Sequence, residues 1–282
     1  MALIHEAIGE IVWDPKGEFK AGERVVMIPN TPMEEDSVIA ENYLRTSKFR
    51  ASGFDGFMQD VVNMRRDRIV RVPRNINPFV AAFTELVSVS VHAIDRFDKI
   101  AHERRKTVGI WGDGNLGYIT AIFFKAMFPE VKLCIFGLDE NKLSDFTFAD
   151  DTFSITSIPD DLSIDHAFEC VGGEGSPKAI NQIIDYINPE GTISILGVSE
   201  NPVAINTRMI LEKGLRMFGS SRSGRKDFEK TIALYQSNPE IVEYLQNIIG
   251  ATVNVHTVED MKKAFELDRQ NAFGKTIMIW NK

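Results

Sequence analysis

The chain has 282 residues, 44% of them hydrophobic and 26% charged, with a formal net charge of −8. That length suits one large domain or two ordinary ones of a soluble globular protein. The acidic balance argues against a nucleic-acid partner, which would favour a basic face. Residues 7–12, 24–28, 56–63 and 68–72 are β-compatible, with Gly or Pro near their ends. A helical pattern follows over 79–97. It includes the most apolar long run, 79–93, which holds Thr84 and Glu85 and is too short to cross a bilayer. The basic stretch 102–106 reads as a solvated loop. Strand and helix then alternate, with strands at 108–111, 133–136, 153–158, 165–171, 192–198 and 215–218. Helices are expected at 118–128, 176–187 and 206–213. This alternation predicts an α/β fold, a Rossmann-type doubly wound parallel sheet. The tail reads as helices at 226–236, 240–249 and 258–267 and a last strand at 275–280 that returns to the β-rich part. Cys134 and Cys170 lie in separate apolar runs, so buried reduced thiols are expected rather than a disulfide. The first ten residues lack the basic start and apolar core of a signal peptide, which makes a cytoplasmic setting the default.

The stretch Val108–Gly117, VGIWGDGNLG, places G-x-G-x-x-G between a strand and a helix, the context in which this motif binds dinucleotides. Gly112 permits the tight turn, Gly114 lets the backbone approach a pyrophosphate, and Gly117 lets helix and strand pack closely. Asn115 and Leu116 complete the loop, whose helix N-terminus offers N–H groups to the phosphates. A glycine turn that binds nothing is the competing reading. An NAD-selecting carboxylate belongs about 20 residues beyond the motif. Gly137 stands there, which favours NADP(H) over NAD(H). Asp139, two residues on, argues the other way, and Lys142 is the nearest cation. Further cofactor contacts are expected at strand ends: Val171 beside Cys170 and Gly172, then Gly197 and Val198, then Ser220 and Arg222.

Four segments together resemble the zinc-type medium-chain alcohol dehydrogenases: 4–12 with its His5-Glu6 pair, 22–26, Thr84-Glu85-Leu86 with Val91-His92-Ala93, and the glycine loop. Within that superfamily, segments 29–32, 41–44, 109–118 and 219–224 are most similar to the ribulose-5-phosphate reductases of teichoic-acid synthesis. The resemblance covers essentially the whole chain. It implies a discontinuous β-rich, GroES-like catalytic domain over 1–88 and 220–282, around a dinucleotide domain over 89–219. It also implies a zinc site with His5 as ligand and with Glu6 and Glu85 as ligands or close neighbours. From the residues alone, His5-Glu6 could be an ordinary polar pair and Glu85 a surface residue, while His92 and His166 read as satisfied histidines rather than ligands.

The resemblance further implies an NADPH-dependent reductase of a phosphorylated sugar. A dehydrogenase of unphosphorylated polyols and an inactive cofactor-binding remnant are the competing readings. Arg45, Lys48 and Arg50 are candidate phosphate cations or simply solvated charges. A homodimer and a cytidylyltransferase partner are expected. Family members carry an additional segment, with a cysteine ligand, before the His-Glu strand. His5 stands at the fifth position and no cysteine precedes Cys134. The sequence therefore reads as an N-terminally truncated member with a weakened hold on zinc.

Overall fold

The computed structural model describes residues 1–271 and 273–280. They gather into two compact units, one of Met1–His92 with Arg222–Lys282, the other of Ala93–Ser221. Among the described residues no helix is long and apolar enough to cross a membrane.

The first unit opens with strands β1 (Ile8–Glu10) and β2 (Arg24–Met27), then β3 (Asn30–Thr31), β4 (Lys48–Arg50), β5 (Gly53–Phe54) and β6 (Ile69–Arg71). Strands β1, β2 and β6 form an antiparallel sheet in that order, and β3, β4 and β5 a second small sheet. The Val-rich β2 buries Val25 and Met27 against Phe19, Phe57 and Ile69, as β-branched residues do on a half-buried pleated surface. Residues 56–63 do not form the expected strand. Their backbone follows the chain start instead: the N–H groups of Gly56, Phe57 and Met58 donate to the carbonyls of Ala2, Ile4 and Leu3. The approach is so close that a Cβ on Gly56 would lie 2.2 Å from two of those oxygens. Helix α1 (Pro78–Ala81) starts with an Asn77 cap and Pro78, and α2 (Thr84–Ile100) follows.

The second unit contains β7 (Thr107–Trp111), α3 (Asn115–Met127), β8 (Lys132–Gly137), α4 (Glu140–Leu143), β9 (Asp151–Ser154) and β10 (Ile164–Glu169). It continues with α5 (Ser176–Tyr186), β11 (Ile187–Ile195), α6 (Thr207–Lys213) and β12 (Arg216–Gly219). Its six strands are parallel in the order β12-β11-β10-β7-β8-β9. The order reverses between β7 and β10, which is where such sheets bind ligands. Strand β9 stops at Ser154 rather than running to 158, because its partner β8 ends at Gly137, directly opposite. The basic stretch 102–106 is a loop with Glu103, Arg104 and Lys106 exposed, as expected, though two of its arginines are engaged. Arg104 pairs with Asp165, and the Arg105 guanidinium lies over Phe97 and Phe128. Cys134 and Cys170 are free and buried.

The returning segment of the first unit folds as α7 (Arg225–Ser237), α8 (Pro239–Leu245), β13 (Ile249–Val255), α9 (Val258–Gln270) and β14 (Lys275–Trp280). The last strand pairs in parallel with β13. Strand β13 is not among the elements expected from the sequence. Yet Val253 and Val255 alternate there with exposed Thr252 and Asn254, a period of two. Thr257 and Asp260 close the start of α9 as a capping box.

Candidate functional site

The glycine loop has three glycines with three different surroundings. Gly112 sits at φ +127°, and its Cβ would press on the Cys170 carbonyl oxygen at 2.9 Å. Gly117 carries the tightest constraint, since a Cβ there would fall 1.9 Å from the Gly112 oxygen. Gly114 faces open space, with nothing within 4 Å of a built Cβ. Helix α3 starts at Asn115, three residues before the expected 118, so Asn115, Leu116 and Gly117 form its first turn. The first helical backbone bond on this turn runs from the Tyr118 N–H to the Gly114 carbonyl. The N–H groups before it are those a helix start offers to an anion.

At the end of β8 the loop contributes a group that the sequence reading missed. The Asp113 carboxylate accepts the N–H groups of Leu138 and Asp139 at 2.7 and 2.8 Å. A Cβ on Gly137 would lie 2.7 Å from it. The space an acidic side chain at 137 would need is thus filled by Asp113. Asp139 spends an oxygen capping α4, accepting from the Asn141 and Lys142 N–H groups. On the other side of the switch point, Val171 and Val198 are 42% and 84% exposed at the ends of β10 and β11. Gly197 packs so closely that a Cβ would meet the Gly172 nitrogen at 2.3 Å. Ser220, after β12, is buried, and its hydroxyl has no hydrogen-bond partner among the described residues.

In the first unit His5, Glu6 and Glu85 offer ligand atoms that all lie within 4.8 Å of one another. His5 Nε2 is 3.9 Å from Glu85 Oε2. Glu85 is only 5% exposed, so it is no surface residue. Burial, together with the charge of Glu6, pushes its pKa up to about 8. Burial lowers the His5 pKa, keeping the imidazole in the neutral form that binds metals. Lys275, from β14, donates to Glu6 at 3.2 Å. Burial works against the Lys275 charge, but Glu6 outweighs it and raises the pKa. One imidazole and two carboxylates, one of them buried and accepting no hydrogen bond among the described residues, are a donor set that fits zinc.

A ring stack extends from this cluster. The Phe49 ring meets His5 edge-on, with centroids 5.2 Å apart. The Arg222 guanidinium lies over Phe49 at 4.8 Å. Arg222 holds a left-handed φ of +58°, uncommon for a residue with a side chain. The other candidate cations differ in their engagement. Arg50 donates to the Asp55 and Asn63 carbonyls, Lys48 lies over Phe54, and Arg45 is exposed. His92 is bound by Asp227, Asn42 and Tyr43, and His166 accepts the Thr192 N–H. His92 is satisfied, as expected, whereas the other ring nitrogen of His166, Nε2, is buried with no hydrogen-bond partner among the described residues.

A family model described as zinc-binding dehydrogenase matches residues 143–237. The ribulose-5-phosphate reductase of Bacillus spizizenii is 54% identical over 99% of this chain and 82% of its own length. Ribulose-5-phosphate reductase 2 of Staphylococcus aureus is 55% identical over the same shares. The chain belongs to the ribulose-5-phosphate reductase family of zinc-binding dehydrogenases. The crystal structure of S. aureus TarJ in complex with NADPH superimposes on this reductase-family chain with a TM-score of 0.90 at 50% identity. It is covered to 82%, and this chain to 100%. L-idonate 5-dehydrogenase of Escherichia coli shares the fold, with a TM-score of 0.87 at 18% identity over 99% of this chain and 82% of its own. Sequence reasoning about this family member missed Asp113, Lys275 and Glu169. Glu169 offered one signal, a carboxylate at the end of an expected strand, directly before Cys170-Val171-Gly172.

Proposed function

We propose that this protein reduces ribulose 5-phosphate to ribitol 5-phosphate with NADPH, supplying teichoic-acid or capsule precursors. The observation that carries the reading is the 54–55% identity, over 99% of the chain, to relatives named for that activity. The geometry supports it with a three-residue metal cluster in one unit and an open-centred glycine loop in the other.

His5, Glu6 and Glu85 are the residues that would hold zinc, and Lys275 keeps Glu6 charged and oriented beside them. When bound, zinc polarises the substrate carbonyl and NADPH provides the hydride. Gly112, Gly114, Asn115, Leu116 and Gly117 seat the pyrophosphate. Gly137 brings no carboxylate to the 2′ position of the adenosine ribose, the Asp113 carboxylate beside it is taken up by the Leu138 and Asp139 N–H groups, and Lys142 is the nearest cation in sequence. Val171, Gly197, Val198 and Ser220 line the other half of the dinucleotide. Arg222, placed on the cofactor side by sequence, is linked through Phe49 to His5 and is better suited to the substrate phosphate. Arg offers that group a planar, multi-donor fork. The active form is a cytoplasmic homodimer that works beside a cytidylyltransferase consuming its product.

The test is turnover of the zinc-loaded protein with NADPH on ribulose 5-phosphate and on unphosphorylated ribulose. Phosphate-dependent reduction is the expected result. Equal turnover of the two sugars would instead identify a polyol dehydrogenase. The absence of turnover on either sugar, with NADPH bound, would leave only a cofactor-binding remnant.

A further inference from the structure

Glu169 is the last residue of β10 and is fully buried. Burying a carboxylate is costly unless it is paired or hydrogen-bonded. No cation approaches this one among the described residues; instead three backbone N–H groups converge on it. One oxygen accepts from Val171 and Gly172 at 3.0 and 2.8 Å, and the other from Gly197 at 3.1 Å. Those donors belong to the loops after β10 and β11, so one side chain ties two neighbouring strand ends together. The tie is reinforced by the Gly173 N–H donating to the Val198 carbonyl and the Ser199 hydroxyl to the Gly173 carbonyl. Glycines are required around it. Gly172 holds φ +66°, and a Cβ on Gly197 would lie 2.6 Å from both Glu169 oxygens. The outcome is a fixed ledge from which Val171 and Val198 project.

The ledge stands beside the switch point. Strand β10 neighbours β7, whose glycine loop would carry the pyrophosphate, and β8 on the far side serves the adenosine end. The nicotinamide half therefore extends over β10 and β11. We propose that Glu169 is the positioning residue for the nicotinamide half, and that its fixed negative charge favours the oxidised, cationic ring over the neutral reduced one. The inference rests on the dinucleotide reading above. Its physical basis is that a charge in a partly desolvated site acts on a developing charge far more strongly than in water.

The experiment compares dissociation constants for NADP⁺ and NADPH in the full chain, measured by calorimetry. Glu169→Gln removes the charge, and one of its two oxygens becomes a donor facing a donor. It is expected to weaken NADP⁺ about fivefold more than NADPH, an order-of-magnitude figure for one charge at this range. Glu169→Asp and Gly197→Ala keep the charge but displace the ledge, and both are expected to weaken the two coenzymes in equal proportion. Equal weakening of both coenzymes by Glu169→Gln overturns the charge role. If Glu169→Gln does not fold, unchanged affinities in Glu169→Asp overturn the positioning role. Failure of the unmutated chain to bind either coenzyme overturns the dinucleotide reading, and this proposal with it.

Discussion

Glu85 accepts no hydrogen bond through its carboxylate among the described residues, and burial with the charge of Glu6 holds its pKa at about 8. The folded, metal-free protein therefore binds a proton there more tightly than the unfolded chain does. Stability is lost as pH rises from the ordinary carboxylate range through about 8. At pH 7 the cost is on the order of 3 kcal/mol. Glu85→Gln is expected to raise the melting temperature of the metal-free protein at pH 7 while abolishing its zinc affinity. Zinc needs the ionised carboxylate, so binding below pH 8 releases a proton and weakens as pH falls. Calorimetry in buffers of different ionisation enthalpy measures that release. On the coenzyme side, Lys142→Ala is expected to weaken NADPH several-fold and leave NADH unchanged, as comparison of the two dissociation constants would show. At this scale the chemistry-bearing residue types were legible in the sequence. His5, Glu6 and Glu85 were found through family likeness and do meet. Asp113 was not found, because its role depends on a turn 25 residues further along the chain.

Helix α3 and its loop test the division of labour among the glycines. Gly114→Val adds a side chain into open space at an extended backbone position, φ −89° and ψ −176°. It is expected to leave the melting temperature within a few degrees of the parent and to abolish NADPH binding. Gly117→Ala drives a methyl onto the Gly112 carbonyl. It should cost about 1–3 kcal/mol of stability, as overpacking does, measured by denaturant unfolding. Most Rossmann strands could be read from sequence because a glycine stands at or just beyond their ends; β9, with no glycine after it, is shorter than its apolar pattern suggests. Residues 56–63 could not, since their bonding partner is the chain start. Strand β13 was hidden behind the helix-compatible residues of α8, although its alternation of Val253 and Val255 with polar neighbours was there to be counted.

The His5, Glu6 and Glu85 cluster and the glycine loop belong to different compact units. Metal removal by a chelator is therefore expected to abolish reduction while NADPH affinity stays within about twofold, as equilibrium binding before and after chelation would show. Joint loss of both would contradict this separation. Trp111 adds an optical consequence. It is 1% exposed, stacked on Phe136 at 3.7 Å, bonded to Gln182, and followed directly by Gly112. The reduced nicotinamide ring absorbs where a buried indole emits. Titration with NADPH should drain Trp111 emission by energy transfer, and NADP⁺, which lacks that absorption band, should not. Trp111→Phe keeps an aromatic ring on Phe136 and should remove most of the quenching. Exposed Trp13 and partly buried Trp280 would then supply the residual light, so the fold has a fluorescent gauge of coenzyme redox state built in beside its phosphate loop.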